Sequence, residues 1–369
     1  MSERILAFVA SYPPRLGGGE KLSHRFNAAL AADGAQVRVL ASVPPLCEER
    51  VSDGVGVAYL RAWRLLGFPW LPIGDVARAI RTLRPTFALL YGPSPYDAVA
   101  STILRAMGVP FACVYLADFD ERKAHTRAAT AVHNLIALRQ AAGIVCIARG
   151  MADRLVARGF APPIVVEPGV DDAFFATPIV LGGELLFVGG LDEGHRYKRI
   201  DLLFEALALR PDLRLRVVGD GDLRGRAERA ARDLGVGDRV TFLGAIDDAS
   251  LAREYGRAGA LVLPSPTTQE GFGLVCLEAM ASGTPVVCSV RAGAAATVAD
   301  APGCAVWNGD DVADLAAAID RALAAMLPER EALRAYARRY DWGASARAML
   351  DGIRALGIGD RSAEPGSRC

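Results

Sequence analysis

Short apolar runs alternate with amphipathic stretches along nearly the whole chain, and the series restarts once near the middle. ILAFVAS (5–11) has the length and make-up of a buried strand; a Gly-rich loop and a helical run from Glu20 to Asp33 follow. QVRVLAS (36–42), FALLYG (87–92), FACVYL (111–116), GIVCIA (143–148) and PIVVEPG (163–169) continue the pattern, with a helix over 97–107. The second series runs through ELLFVGG (184–190), a helix over 199–209, LRLRVVG (213–219), RVTFLG (239–244), ALVLPS (260–265) and TPVVCS (284–289). AVWNGDD (305–311) then precedes helices to about residue 339. Apolar strands interleaved with helices predict parallel, doubly wound sheets. Two series predict two α/β domains, and Pro and Gly within 173–184 mark the break between them.

Composition narrows the function classes. Acidic and basic residues balance at 42 each over 369 residues, so no global charge points to nucleic acid. Hydrophobic residues make up 52%, enough for two cores and too many for a disordered chain. The most apolar stretches, 255–269 and 271–290, are cut by Gly, Pro or charged residues, against a membrane-spanning helix. The start, MSERILAFVASYPP, reads as a first strand rather than a signal peptide, which places the chain in the cytoplasm. The cysteines (47, 113, 146, 276, 288, 304 and 369) form no CxxC pair, and the histidines (24, 125, 133, 195) have no metal-ligand spacing, so no metal is expected. Residues 1–170 carry 19 basic and 13 acidic side chains, and residues 171–369 carry 23 and 29, so the first half is the basic one.

Three loops have the residue types that hold a phosphorylated ligand. In PSPTTQEGFGLVCLEAMASGTPVV (264–287) a strand ends at Pro264, and Glu270 precedes a Gly-Phe-Gly turn and a helix starting near Gly273. Glycines admit close backbone approach, and an open helix N-terminus offers amides to a phosphate. Glu278, about a turn and a half into the helix, is placed to accept hydrogen bonds from ligand hydroxyls. The plainer alternative makes Glu270 a partner of the helix dipole and Glu278 a solvated helix residue, and spacing alone does not separate the two. In LLFVGGLDEGHRYKRIDLLFEAL (185–207) a strand ends in Gly-Gly; Lys198, with His195, Arg196 and Arg199, stands where a diphosphate would meet the sheet edge, or is part of an ordinary charged loop. SYPPRLGGGEKL (11–22) is a third Gly-rich turn, but neither a P-loop nor GxGxxG. GDGDLRG (219–225) has the wrong glycine spacing for a dinucleotide fingerprint. DFD (118–120) and DGD (220–222) match a short Asp-x-Asp metal pattern that arises often by chance.

Taken together, the ordered segments resemble glycosyltransferase family 4, whose members are retaining enzymes of the GT-B fold: two doubly wound Rossmann-like domains facing across a cleft. EPGVDDAFF (167–175) is similar to the family's PNGVD-x-x-x-F segment, and FVGGLDEGHRYKRIDLL to its FVGR…KG…LL segment. LRVVGDG, VTFLGAI and EGFGLVCLEAMASGTPVV follow in the family's order, with Glu270 and Glu278 on its E-x7-E motif. The resemblance implies an acceptor-binding domain over 1–174, a nucleotide-sugar-binding domain over 175–340, and a last helix with a tail over 341–369 that crosses back to the first domain. Glu270 would bind donor-sugar hydroxyls. The amides of Gly271, Phe272, Gly273 and Leu274 would meet sugar and phosphate oxygens, and Glu278 the ribose. Lys198 would stabilise the departing diphosphate, approached by Gly18 and Gly19 from the other domain. Gly219, Ala245 and Ile246 would lie along the nucleotide. The reaction implied is transfer of a sugar from a UDP- or GDP-hexose to an acceptor hydroxyl with retention, without a metal or other cofactor.

Two departures stand out. The family's phosphate-binding Arg is Gly190 here, which leaves Arg196 or His195 of the same loop to replace its charge. Many relatives carry a sugar-contacting His at the position of Leu116, and Asp118 is the nearest substitute. Two other classes therefore stay open: a noncatalytic nucleotide-sugar-binding protein, and an epimerase of a UDP-amino sugar. The acceptor is not legible. RAWRLLGFPWLPIGDVARAIRTLR (61–84) mixes Trp63, Phe68 and Trp70 with five arginines. It reads either as a peripheral contact with the inner face of the membrane or as a loop packing its aromatics before an ordinary amphipathic helix.

Overall fold

The computed structural model describes residues 3–10, 12, 17–41, 49–60, 63–65, 68–92, 95–118, 133–309 and 311–358. The chain divides into two compact units: residues 1–168 together with 342–369, and residues 169–341. Sequence punctuation marks a break within 173–184, and the family resemblance implies a change of domain at 174/175. In the structure the short helix Asp172–Phe175 belongs to the second unit, where Phe174 stacks edge-on against Tyr255 at 5.8 Å and its carbonyl accepts from Ser282 Oγ.

The first unit is built on β1 (Arg4–Val9), β2 (Gln36–Ala41), β3 (Glu49–Ser52), β4 (Val55–Tyr59), β5 (Trp63–Leu65), β6 (Phe68–Trp70), β7 (Phe87–Gly92), β8 (Phe111–Tyr115), β9 (Gly143–Cys146) and β10 (Ile164–Val165). Eight of these form one sheet in the order β10-β9-β8-β7-β1-β2-β4-β3, parallel except for β3 at the edge. β5 and β6 make a separate antiparallel ribbon that brings residues 63 and 70 opposite each other. The central strands of the eight-stranded sheet, β1, β7 and β8, are apolar and buried on both faces, as a parallel sheet covered on both sides requires. The helix Ile73–Leu83 buries Val76, Ile80 and Leu83 and turns Arg78 and Arg81 to solvent. The last helix, Trp342–Ala355, belongs here: it packs along the helix Gly18–Ala32, with Trp342 edge-on to Phe26 at 5.3 Å, and Ser345 Oγ donates to the carbonyl of Glu167.

The second unit carries β11 (Leu185–Val188), β12 (Leu215–Val218), β13 (Val240–Gly244), β14 (Ala260–Leu263), β15 (Val286–Ser289) and β16 (Ala305–Trp307). They form one all-parallel sheet in the order β13-β12-β11-β14-β15-β16. The chain therefore winds outward from β11 in one direction, then returns to β14 and winds the other way. The point where the winding reverses, between the carboxyl ends of β11 and β14, is where open α/β sheets leave a crevice for ligands. Arg330 locks this arrangement from below: its fully buried guanidinium donates to the carbonyls of Ala258 and Gly259, just ahead of β14.

Candidate donor site in the second unit

Two loops meet at that reversal point. The first leaves β11 through Gly189 and Gly190. Asp192 then caps the 3-10 turn Glu193–Lys198 by accepting from the Gly194 amide at 2.8 Å, and its other oxygen holds His195 Nδ1 at 2.8 Å. The turn folds back over the two glycines. A Cβ at Gly189 would stand 2.6 Å from Lys198 Cδ, and one at Gly190 would stand 2.7 Å from His195 Nδ1. Each glycine thus makes room for one basic side chain of the same turn. Lys198, 8% exposed, ends with Nζ 2.7 Å from Glu270 Oε2. Arg196 points the other way: it is more than half exposed and only 3.4 Å from Glu193. Arg199 leaves the turn in the left-handed region and is tied down by both oxygens of Asp201.

The second loop leaves β14. Glu270 is buried at its far side, and Gly271, Phe272 and Gly273 are buried after it. Gly273, at φ +89°, turns the chain into the helix Leu274–Ala281. A neighbouring turn fixes the loop: the Gly293 amide donates to the Glu270 carbonyl at 3.1 Å, and a side chain at Gly293 would strike the carbonyl of Gly271. The amides of Gly271, Phe272 and Gly273 donate to no described residue. Glu278 is not a solvated helix residue, as the plainer alternative had it. It is 6% exposed and accepts from the hydroxyl of Tyr255 at 2.9 Å. Burial, and then the Glu278 carboxylate, hold the Tyr255 phenol well above its ordinary pKa, so it remains a donor. Glu270 is likewise no dipole partner in solvent but half of a buried ion pair.

The third edge comes from β12 and β13. Gly219 donates to the carbonyl of Gly244 at 2.9 Å, and a side chain at Gly219 would run into the carbonyl of Gly189. The backbones of three strands therefore converge with no side chains between them. Beyond Gly244, Ala245 is exposed and Ile246 half-buried before Asp247 caps the next helix. A cavity of about 320 Å3 opens beside the first loop; His195, Arg196 and Lys198 line it, as do the apolar Phe187, Phe204 and Ala227.

The remaining expected residues lie in the first unit. Gly18 and Gly19 form the exposed first turn of the helix Gly18–Ala32, and a Cβ on either would meet nothing within 4 Å. Asp118 is buried, with one oxygen 3.0 Å from Tyr115 Oη and the other 2.7 Å from Arg154 Nε. Leu116 is half-buried and ties its amide to the carbonyl of Gly92. Asp120 of the DFD run lies outside the described residues. Asp220 of DGD accepts from the next amide and faces Arg224 at 3.5 Å. Among the described residues no three acidic, His or Cys side chains come together as a metal would require. Three contributors are missed by motif reading. Asp192 carried a signal, an acidic cap ahead of a turn. Gly189 and Tyr255 act through contacts across 9 and 23 residues and carried none.

The family description "Glycosyl transferases group 1" matches residues 183–340, and "Glycosyl transferase 4-like domain" matches residues 17–169. The D-inositol 3-phosphate glycosyltransferase of Geodermatophilus obscurus is 38% identical over 214 residues, 52% of this chain and 46% of that protein. Its namesake from Mycolicibacterium smegmatis is 34% identical over 50% of this chain and 46% of that protein. The chain thus spans about half the length of the curated relatives it matches. Among solved structures, sucrose-phosphate synthase of Thermosynechococcus elongatus superposes with a TM-score of 0.78 at 21% identity, over 96% of this chain and 98% of that one. HepE of Anabaena, solved with UDP and glucose, superposes with a TM-score of 0.76 at 18% identity, over 96% of this chain and 100% of that one. Matched over both of its units, the chain belongs to the family 4 type of group 1 glycosyltransferases and has the GT-B fold.

Proposed function

We propose that the protein is a retaining glycosyltransferase that moves a hexose from a nucleoside diphosphate to an acceptor hydroxyl, with a uridine nucleotide as the leading donor. The observation that carries this reading is the meeting of Lys198 and Glu270 at the winding reversal, with the open amides of the Gly-Phe-Gly turn beside them. A cation, a carboxylate and free amides on one sheet edge suit a sugar diphosphate: the carboxylate takes sugar hydroxyls, and the cation and amides take phosphate oxygens. Glu278, buried and oriented by Tyr255, takes the ribose hydroxyls. The base lies along Gly219, Ala245 and Ile246. As the bond to the sugar breaks, negative charge gathers on the diphosphate. Lys198 is already fixed in place to meet it, so little reorganisation is needed and no metal is called for. The UDP found with HepE, and the names of the inositol-phosphate relatives, support a UDP-sugar donor and a small polyol or sugar acceptor bound by the first unit.

The test is a thermal-shift panel of UDP, GDP, ADP and their sugars, followed by product analysis with a mixture of acceptors. A ligand of the folded state raises the melting temperature by mass action. One nucleotide should stand out, with the same shift in EDTA as in magnesium, and Glu278→Ala should abolish it. Binding without transfer to any acceptor would assign the chain to the noncatalytic class, and donor turnover without acceptor to the epimerases.

No helix among the described residues is long and apolar enough to cross a membrane. The helix Ile73–Leu83 spends its apolar side on the first unit's core, so we take it as a packed part of the acceptor domain; the side chains of 61–70, where the membrane contact is expected, lie outside the described residues. Cosedimentation with anionic vesicles at low salt should accordingly be negligible. Binding that disappears with Trp70→Ala and Arg64→Ala would instead establish peripheral membrane contact.

A further inference from the structure

We propose that His195, presented by Asp192, is the second side chain of the diphosphate site, that Asp192 is a positioning residue, and that Arg196 has no part in it. The proposal rests on the reading of the second unit as a nucleotide-sugar site and names the group that meets the phosphates beside Lys198. Three observations carry it. Gly189 and Gly190 are consecutive, and each accommodates one side chain of the turn that follows: Lys198 lies across the first and His195 across the second. Each of those two side chains is held by its own carboxylate, Lys198 by Glu270 and His195 by Asp192, both within 2.8 Å. Both line the cavity at the end of β11, as does Arg196. Two side chains folded back over adjacent glycines form a paired cradle, while Arg196 is more than half exposed, with its guanidinium set against Glu193.

The chemistry of Asp192 fixes its role. One oxygen caps the turn at the Gly194 amide, and the other accepts from Nδ1 of His195. A carboxylate on Nδ1 sets the tautomer and leaves Nε2 as the ring's other functional atom. No described residue hydrogen-bonds Nε2. Gly190 belongs to the same unit, since any side chain there would push the imidazole off Asp192.

The experiment is calorimetric titration of the full chain with UDP, uridine and inorganic pyrophosphate. His195→Ala should weaken UDP and pyrophosphate on the order of tenfold, the size of one charge-assisted hydrogen bond, and leave uridine unchanged. Asp192→Asn keeps an oxygen for the Gly194 cap, so the turn holds; it should weaken the same two ligands in the same sense. His195→Arg should recover most of the loss, and Arg196→Ala should do nothing. The imidazole 15N resonances of His195 should move with UDP and not with uridine. UDP binding that depends on Glu278 but not on His195 or Asp192 overturns this inference and leaves the glycosyltransferase reading intact. Pyrophosphate binding that depends on His195, with no nucleotide bound, sustains the inference and overturns that reading. A loss with Arg196→Ala equal to that with His195→Ala also overturns the assignment.

Discussion

Lys198 and Glu270 show why a motif residue cannot be read as a free functional group. Each is about one-tenth exposed, and each is the other's partner at 2.7 Å. Removing one side of a buried pair strands the other charge and costs about 3–5 kcal/mol, whereas replacing both with apolar groups is often neutral. Lys198→Met should therefore lower the melting temperature by roughly 6–20 °C, at about 2–4 °C per kcal/mol for a unit of this size. The double replacement Lys198→Met with Glu270→Leu should recover most of that loss by calorimetry, and neither protein should transfer sugar. If Lys198→Met melts like the unaltered protein, the pair is not formed in solution, and the two residues must be treated as independent ligand groups. The same reasoning explains why Lys198 is a lysine in a chain with 39 arginines. Its four-carbon stem lies flat over Gly189, and a planar guanidinium there would have to find five hydrogen-bond acceptors.

At the level of elements, the sheets and their helices were legible because apolar periodicity is local. β11, β12, β14 and β15 fall within the expected runs, and the helix after the Gly-Phe-Gly turn starts one residue from where it was expected. The strands between Glu49 and Trp70 were not legible: they are three to five residues long, and Gly and Pro interrupt the alternation that would mark them. Site motifs were legible as residue types, but their partners were not. Nothing in the sequence tells that Tyr255 orients Glu278 or that Gly293 braces the Glu270 loop, because both contacts close over 23 residues of intervening fold. Gly293 yields a prediction at this scale. Gly293→Ala places a methyl against the Gly271 carbonyl, and the loop must give way. Overpacking of this kind costs about 1–3 kcal/mol. Nucleotide affinity should fall together with the melting temperature, although residue 293 carries no ligand-binding group. Unchanged affinity in this variant would mean that the bracing turn yields and the Gly-Phe-Gly loop does not.

For the whole molecule, the chain order hides a division of labour: the last helix is sequentially attached to the second unit and structurally part of the first. Trp342–Ala355 buries Met349, Leu350 and Ile353, and its packing reaches β10, where a Cβ at Gly352 would stand 2.6 Å from Ile164 Cγ2. At about 1.5–3 kcal/mol for each large apolar side chain, those three alone contribute about 5–9 kcal/mol. That is comparable to the total stability of an ordinary domain, about 5–15 kcal/mol. A chain shortened to residues 1–341 should therefore lose the first unit and keep the second, whose core closes within 169–341. Limited proteolysis with mass mapping should show rapid cleavage before residue 168 and a protected fragment beyond it. Because Lys198, Glu270, Glu278 and Tyr255 all lie in that fragment, it should still bind UDP and should transfer nothing. A shortened chain that resists protease throughout would show the helix to be dispensable. A protected fragment that binds no nucleotide would mean that the donor site is not complete in the second unit.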